Sequence, residues 1–191
     1  MDLDEMIKNR LSITELSMTG LKKITNLNIE DQRGVFTRIF CANELRKENW
    51  NKQVAQINFT ITLEKGTVRG LHYQSPPATE MKLITCIEGE IFDVVVDIRS
   101  GSPTFLNWHA EKLSARKGDA LLIPEGFAHG FQSLVDNVKI IYCHSNEYIQ
   151  ELDKTLNPKD PLLKIEWPLK ISKISDKDKN SEYLNEYFPG I

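Results

Sequence analysis

Hydrophobic and polar residues alternate through most of the chain, and the period is that of strands. Val54-Ala55-Gln56-Ile57-Asn58-Phe59-Thr60-Ile61-Thr62 is the clearest stretch, and it stops at Glu64-Lys65-Gly66. Val68 to Tyr73 follows and runs into a Ser75-Pro76-Pro77 loop. Met81 to Ile87 and Ile91 to Ile98 flank Glu88-Gly89-Glu90, an arrangement that predicts an antiparallel pair across a tight turn. Phe105 to Leu113, Ala120 to Ile123, His129 to Leu134 and Val138 to His144 continue the series. Upstream, Ile24, Leu27 and Ile29 precede a turn at Glu30-Asp31-Gln32-Arg33-Gly34, after which Val35, Phe36, Ile39 and Phe40 resume. Strands this short, with turn residues roughly every 8–12 positions, predict a sandwich or barrel.

Helix signals are few. Asn43 to Trp50 predicts one helix, with Asn43 as its cap. Ser181 to Phe188 predicts a short terminal one. Residues 1–19 have no firm periodicity and predict a mobile or weakly helical extension before a single domain over residues 20–191. Asn157-Pro158-Lys159-Asp160-Pro161 and Trp167-Pro168 predict extended or turn segments, because the residue before proline is barred from helix.

Composition narrows the class. The 191 residues are 40% hydrophobic and 27% charged, an ordinary globular balance. A net charge of −3 offers no basic field for nucleic acid. No apolar run approaches the roughly 18 residues of a membrane span. The acidic start, Met1-Asp2-Leu3-Asp4-Glu5, has no signal-like apolar core, so a cytoplasmic location is expected. Cys41, Cys86 and Cys143 are widely spaced and odd in number, and are expected to be free thiols.

Two glycine-led segments carry the chemistry. Gly118 to His129 has the pattern G-x5-P-x-G-x2-H and resembles the second signature of the cupin β-barrels. Gly66 to Gly89 resembles the first signature, altered. His72 stands at the first metal-ligand position, Gln74 where a second His is usual, and Lys82 where a Glu is usual. Two imidazoles, His72 and His129, beside an ammonium make a poor divalent-metal site by ligand count and by charge, so no metal is expected. Strand periodicity puts Arg69, Leu71 and Tyr73 on one face and Gly70, His72 and Gln74 on the other. A break at Gly70 would let Arg69 and His72 converge. The expected fold is all-β, a double-stranded β-helix (cupin jelly roll) with short peripheral helices.

A more specific resemblance rests on several strings in order: RGVF (Arg33 to Phe36), RGLHYQ (Arg69 to Gln74), KLITCIEGEIFDVVVDIRSGSPTF (Lys82 to Phe105), LLIPEGFAHGF (Leu121 to Phe131), IEWP (Ile165 to Pro168) and ISDKD (Ile174 to Asp178). Together they resemble the dTDP-4-dehydrorhamnose 3,5-epimerase family. That resemblance implies a cofactor-independent isomerase acting on a nucleotide-linked 4-keto-6-deoxyhexose, dimeric through exchange of N-terminal strands. It assigns His72 as general base, Asp178 as its orienting partner, Tyr142 as the acid on the opposite face and Lys82 as the group beside the sugar carbonyl. Arg69 and Arg33 would hold the diphosphate. Phe36, Arg38, Gln56, Asn58, Gln74, His129 and Tyr148 would line the rest of the substrate site, and Asp93 would support it.

The implied chemistry is physically coherent. A C4 ketone acidifies the hydrogens on C3 and C5, because loss of either gives an enolate. Neutral imidazole is the natural base near neutral pH, and a fixed ammonium stabilises the enolate oxygen. Two departures touch the nucleotide end: Arg38 stands where the family usually carries an acidic residue, and Glu147-Tyr148 where it often carries an aromatic pair. The carrier therefore stays open between thymidine, cytidine and guanosine, and the reaction between C3, C5 or both. A metal-dependent cupin enzyme and a non-catalytic sugar-binding cupin are the rival classes.

Overall fold

The structure, a computed structural model, describes residues 10–191. The chain builds two antiparallel sheets packed face to face. Their strands are β1 (Leu11–Glu15), β2 (Lys22–Asn26), β3 (Ile29–Asp31), β4 (Gly34–Phe36), β5 (Gln56–Thr62), β6 (Val68–Gln74), β7 (Lys82–Glu88), β8 (Glu90–Asp97), β9 (Trp108–Ser114), β10 (Asp119–Ile123), β11 (Phe127–Ser133), β12 (Val138–His144) and β13 (Asp153–Thr155). One sheet has the order β1-β2-β10-β7-β12-β5, the other β13-β6-β11-β8-β9, and β3 and β4 form a separate hairpin. From β5 to β13 successive strands switch sheets at every step but β8 to β9, which is the jelly-roll arrangement.

Period two sorts each strand's side chains. Ile84 and Cys86 of β7, Leu121 and Ile123 of β10, Ile91 and Val95 of β8, Phe127 and Phe131 of β11 and Ile140 of β12 meet between the sheets. Leu83, Leu122 and Cys143 point outward from the larger sheet and pack with Leu45 and Trp50. Val94, Val96, Ala128 and Leu71 point outward from the smaller sheet and are covered by Leu156, Leu163, Trp167 and Phe188 of the C-terminal segment. Both faces of the central strands are therefore buried, which is why they read as near-continuous apolar runs.

Several elements differ from the sequence expectation. Met81 to Ile87 and Ile91 to Ile98 do not pair. β7 joins β10 and β12, whereas β8 joins β9 and β11. Gly89, at φ +80°, carries the chain from one sheet to the other, and a Cβ there would lie 2.9 Å from Val135. Leu11–Glu15 form β1 on β2 instead of a loose extension; residues 1–9 of that expected extension lie outside the described residues. The early helix, α1, is only Ala42–Arg46, with Cys41 at the cap position and no side-chain cap, so Asn43 sits inside it. Residues 181–188 form no helix. The terminal helix α2 is Asp176–Lys179, where Ser175 accepts from the Asp178 backbone N–H at 3.0 Å. Cys86 and Cys143 are buried and all three cysteines are free, as expected. No helix among the described residues is long and apolar enough to cross a membrane.

β6 and β11 approach closely through paired glycines. A Cβ on Gly130 would fall 2.6 Å from the Arg69 carbonyl oxygen and 2.9 Å from Leu71. Gly130→Ala should therefore cost roughly 1–3 kcal/mol by overpacking, seen as a lower urea midpoint at unchanged slope.

Candidate active site

Inward positions turn polar at one end of the sandwich. On β7 the inward series is Lys82, Ile84 and Cys86, and on β12 it is Val138, Ile140, Tyr142 and His144. Between the sheets at that end lies a cavity of about 820 Å3 lined by His72, Lys82, His129, Tyr142 and Asp178, with Asn58, Arg69 and Tyr148 toward its opening. His72 and His129 face each other across the β6–β11 pair. Tyr142 belongs to the other sheet, so phenol and imidazole stand on opposing walls.

The β6–β11 register slips between His129 and Phe131: Arg69 pairs with Phe131 and His72 with His129. Three steps along β6 match two along β11. This bulge, at Gly70 with φ +110°, breaks strict alternation and brings Arg69 and His72 to the same cavity.

His72 Nε2 lies 2.7 Å from Asp178 Oδ1, and the second oxygen of Asp178 accepts from the Gly70 N–H at 3.2 Å. The carboxylate can only accept, so Nε2 carries a proton, and it is Nδ1 that has the lone pair when the ring is neutral. The His72 side chain is 38% exposed, against 5% for Asp178. Burial pushes the Asp178 carboxyl up, but the His72 hydrogen bond and charge, the Gly70 N–H and Ser175 outweigh it, and the group stays below its ordinary value.

His129 Nε2 contacts Asp93 Oδ1 at 2.7 Å in a second, fully buried pair. Burial raises Asp93, and its contact with His129 offsets this only in part. Burial also drives the Tyr142 phenol far above its usual range, with Asp93 adding to the effect and the Thr60 hydrogen bond and Arg69 opposing it. Tyr142 therefore holds its proton at neutral pH. Lys82 Nζ donates to the His72 carbonyl at 3.1 Å and pairs with Glu80 at 3.2 Å. Arg69 Nε donates to the Thr62 hydroxyl at 3.1 Å. An ammonium within this set opposes a divalent cation. Among the described residues no cluster of three His, Cys, Asp or Glu is placed to hold a metal ion.

Some expected site residues lie elsewhere. Arg33 and Phe36 are on the exposed β3–β4 hairpin, Arg33 tied to Asp31 at 2.6 Å. That hairpin has no third strand beneath it. Arg38 pairs with Glu44 at 2.9 Å, away from the cavity. Gln74 borders the cavity but bonds backbone with both ends: it donates to the carbonyls of Ala78 and Glu147 and accepts from the Ile149 N–H at 2.7 Å. It thereby pins the 147–149 loop at the cavity's edge. Gln56 sits at the rim, bonded to Asn58 and to the Tyr148 N–H. Glu80, His144 and Thr60 were not singled out from sequence, although stepping by two from Lys82 and from Tyr142 reaches Glu80 and His144.

An imidazole held by a carboxylate on one wall, a protonated phenol on the other and an ammonium lining the same cavity form a site suited to moving protons at carbon, the chemistry of an isomerase. A sequence model of the dTDP-4-dehydrorhamnose 3,5-epimerase family matches residues 15–186. A dTDP-4-dehydrorhamnose 3,5-epimerase of Sinorhizobium fredii is 38% identical over 97% of this chain and 93% of its own length. A dTDP-4-dehydrorhamnose 3-epimerase of Streptomyces niveus is 32% identical over 92% of this chain and 85% of its own. The crystal structure of dTDP-6-deoxy-D-glucose-3,5-epimerase from Legionella pneumophila, in complex with dTDP-4-keto-L-rhamnose, superposes with a TM-score of 0.88 at 37% identity. That match covers 93% of this chain and 94% of that one. The chain belongs to the dTDP-4-dehydrorhamnose 3,5-epimerase family.

Asp178→Asn should lower kcat by about two orders of magnitude or more while leaving KM nearly unchanged, measured by steady-state kinetics. The sign of its pH linkage follows from a depressed carboxyl. Asp178 contributes stability above the ordinary aspartate pKa and loses it as pH falls through the native value. Acid unfolding of Asp178→Asn should lack that part of the pH dependence.

Proposed function

We propose that this protein epimerises a thymidine-diphosphate-linked 4-keto-6-deoxyhexose at C3 and C5 without a cofactor. The observation that carries the reading is the placement of His72 and Tyr142 on facing walls of one cavity that also holds Lys82. His72 Nδ1 removes the hydrogen from the carbon beside the ketone. The C–H electron pair becomes the enolate π bond and the carbonyl pair moves onto the C4 oxygen. Lys82 stabilises that oxygen, an effect of about 3 kcal/mol for one preorganised donor. Asp178 stabilises the imidazolium. Tyr142, still protonated, delivers a proton to the opposite face as the enolate collapses, which inverts the carbon. Exchange with water then returns a proton to tyrosinate and removes one from His72. Arg69 is placed to take the diphosphate through its guanidinium fork, and Asn58, Gln56 and Tyr148 the nucleotide end.

The active form is a homodimer in this reading. Ile57, Phe59 and Ile61 on edge strand β5 and Leu63 just after it are exposed by between 45% and 70%, and Val35 and Phe36 are similarly bare on the hairpin. A stripe of this kind on an edge strand marks an interface. β1 and β2 pair within the chain, so among the described residues the β3–β4 hairpin is the N-terminal segment left to cross over and carry Arg33 and Phe36 to the partner's cavity. We place the protein in the cytoplasm, where its three cysteines stay reduced, and treat residues 20–191 as one catalytic unit.

Proton NMR of the dTDP-4-keto sugar in heavy water tests the chemistry directly. Wild type should wash deuterium into C3 and C5 with inversion; exchange at C3 alone would make the enzyme a 3-epimerase. His72→Ala should abolish exchange while dTDP binding persists. Tyr142→Phe should allow wash-in without full inversion, and loss of both together would leave tyrosine a structural role. A stronger affinity for CDP or GDP than for dTDP would refute the thymidine carrier. Phe59→Glu should shift the protein toward monomer in light scattering; a wild type that is already monomeric ends the dimer proposal.

A further inference from the structure

Lys82 is one end of a hydrogen-bond chain that crosses the cavity wall. The six-stranded sheet sets Gln56 opposite His144, and His144 opposite Lys82, in one row across β5, β12 and β7. Glu80 precedes β7 and reaches into the same row. The side chains of Glu80, Lys82 and His144 are 8%, 7% and 11% exposed.

The direction of every bond in this row is forced. The Tyr148 backbone N–H can only donate, so Gln56 receives it through Oε1 at 3.0 Å. The Gln56 amide nitrogen then donates to Asn58 Oδ1 at 2.9 Å. Asn58 is left presenting Nδ2 to His144 Nε2 at 3.3 Å. That nitrogen must accept, so the ring proton sits on Nδ1 and is donated to Glu80 Oε2 at 2.9 Å. The other oxygen of Glu80 takes the Lys82 ammonium at 3.2 Å, and Lys82 also donates to the His72 carbonyl at 3.1 Å. A backbone donor at one end and an ammonium at the other, both unable to accept, leave no alternative polarity with Glu80 ionised. A second proton on His144 would set two N–H groups against each other at Asn58.

We propose that Glu80 and His144 are positioning residues, which hold the Lys82 ammonium in place through a single-polarity chain anchored at Tyr148. The role given to Lys82 rests on the epimerase reading above; the chain itself does not. Glu80 keeps a buried ammonium paired, and an unpaired one would be costly or would turn away. His144 keeps Glu80 from rotating. Its ring also stacks on Tyr142, with centroids 6.1 Å apart and planes 10° from parallel, so the same anchor braces the acid. The nucleotide end and the ketone end of the cavity are thereby joined through side chains.

Two arms test this. Long-range proton–nitrogen correlation spectra of the ligand-free protein, with His144 assigned by its loss in His144→Gln, should show the ring proton on Nδ1 and a bare Nε2. In steady-state kinetics, Glu80→Gln and His144→Ala should each lower kcat about tenfold with KM within about twofold, the signature of a lost transition-state effect. His144→Gln, whose amide can donate to Glu80 and accept from Asn58, should recover kcat to within about threefold of wild type. A proton on Nε2 overturns the proposal. So does wild-type kcat in both Glu80→Gln and His144→Ala, or a His144→Gln enzyme as slow as His144→Ala. If either of the first two variants does not fold, the tautomer and His144→Gln decide. The spectroscopic arm uses no substrate, so its failure is separate from that of the epimerase reading, which falls if wild type exchanges no substrate hydrogens.

Discussion

One carboxylate ties the site to the fold. Asp178 bonds the His72 imidazole with one oxygen and the backbone of the bulge, Gly70, with the other. It is delivered by the C-terminal segment, which also covers the outer face of the smaller sheet. Docking of that segment, orientation of the imidazole and the bulge that turns Arg69 inward are therefore one event. The carboxylate is nearly buried and accepts without donating, so it sets the tautomer of His72 as well as its position. A half-exposed histidine on a strand gains a fixed orientation because the tail closes over it.

The jelly roll supplies the second requirement, which is two sides. Epimerisation takes a proton from one face of a carbon and gives one to the other. A single sheet presents one wall; two sheets facing each other present both. β6 and β11 bring His72 and His129, while β7 and β12 bring Lys82, Tyr142 and His144. Burial then separates the proton affinities. Tyr142 is held protonated by desolvation, while Asp178 is held ionised by its hydrogen bonds. Lys82 stands at the sequence position where a cupin usually carries a glutamate ligand, so a positive charge fixed in the covalent chain, paired with Glu80, lines the cavity there.

The strands and most of the central site were legible from the chain because their signals are local. The stretch Val138–His144 forms a strand over the bounds its pattern predicts, and the motifs around His72, Lys82 and His129 mark positions that line the cavity. Asp178 was different: in isolation it reads as a solvated tail charge, and only the family resemblance attached it to His72. Glu80 and His144 escaped because a glutamate before a strand and a histidine at its end are ordinary features until the register sets them side by side. Gln74 matched a ligand position yet bonds the 147–149 loop, a fate decided by where that loop closes.

By itself the sequence determined what is set over a few residues: strand periodicity, glycine turns, and the order of polar and apolar inward positions. It could not determine pairing. The Glu88-Gly89-Glu90 turn looks like a hairpin, but both strands are apolar on two faces and each is buried more fully in a separate sheet. Only the tertiary structure decided which walls face each other, where β6 slips by one residue, and which oxygens and nitrogens meet across the cavity. Those outcomes depend on contacts between residues far apart in the chain, such as the 106 positions separating His72 from Asp178, and local pattern carries no information at that range.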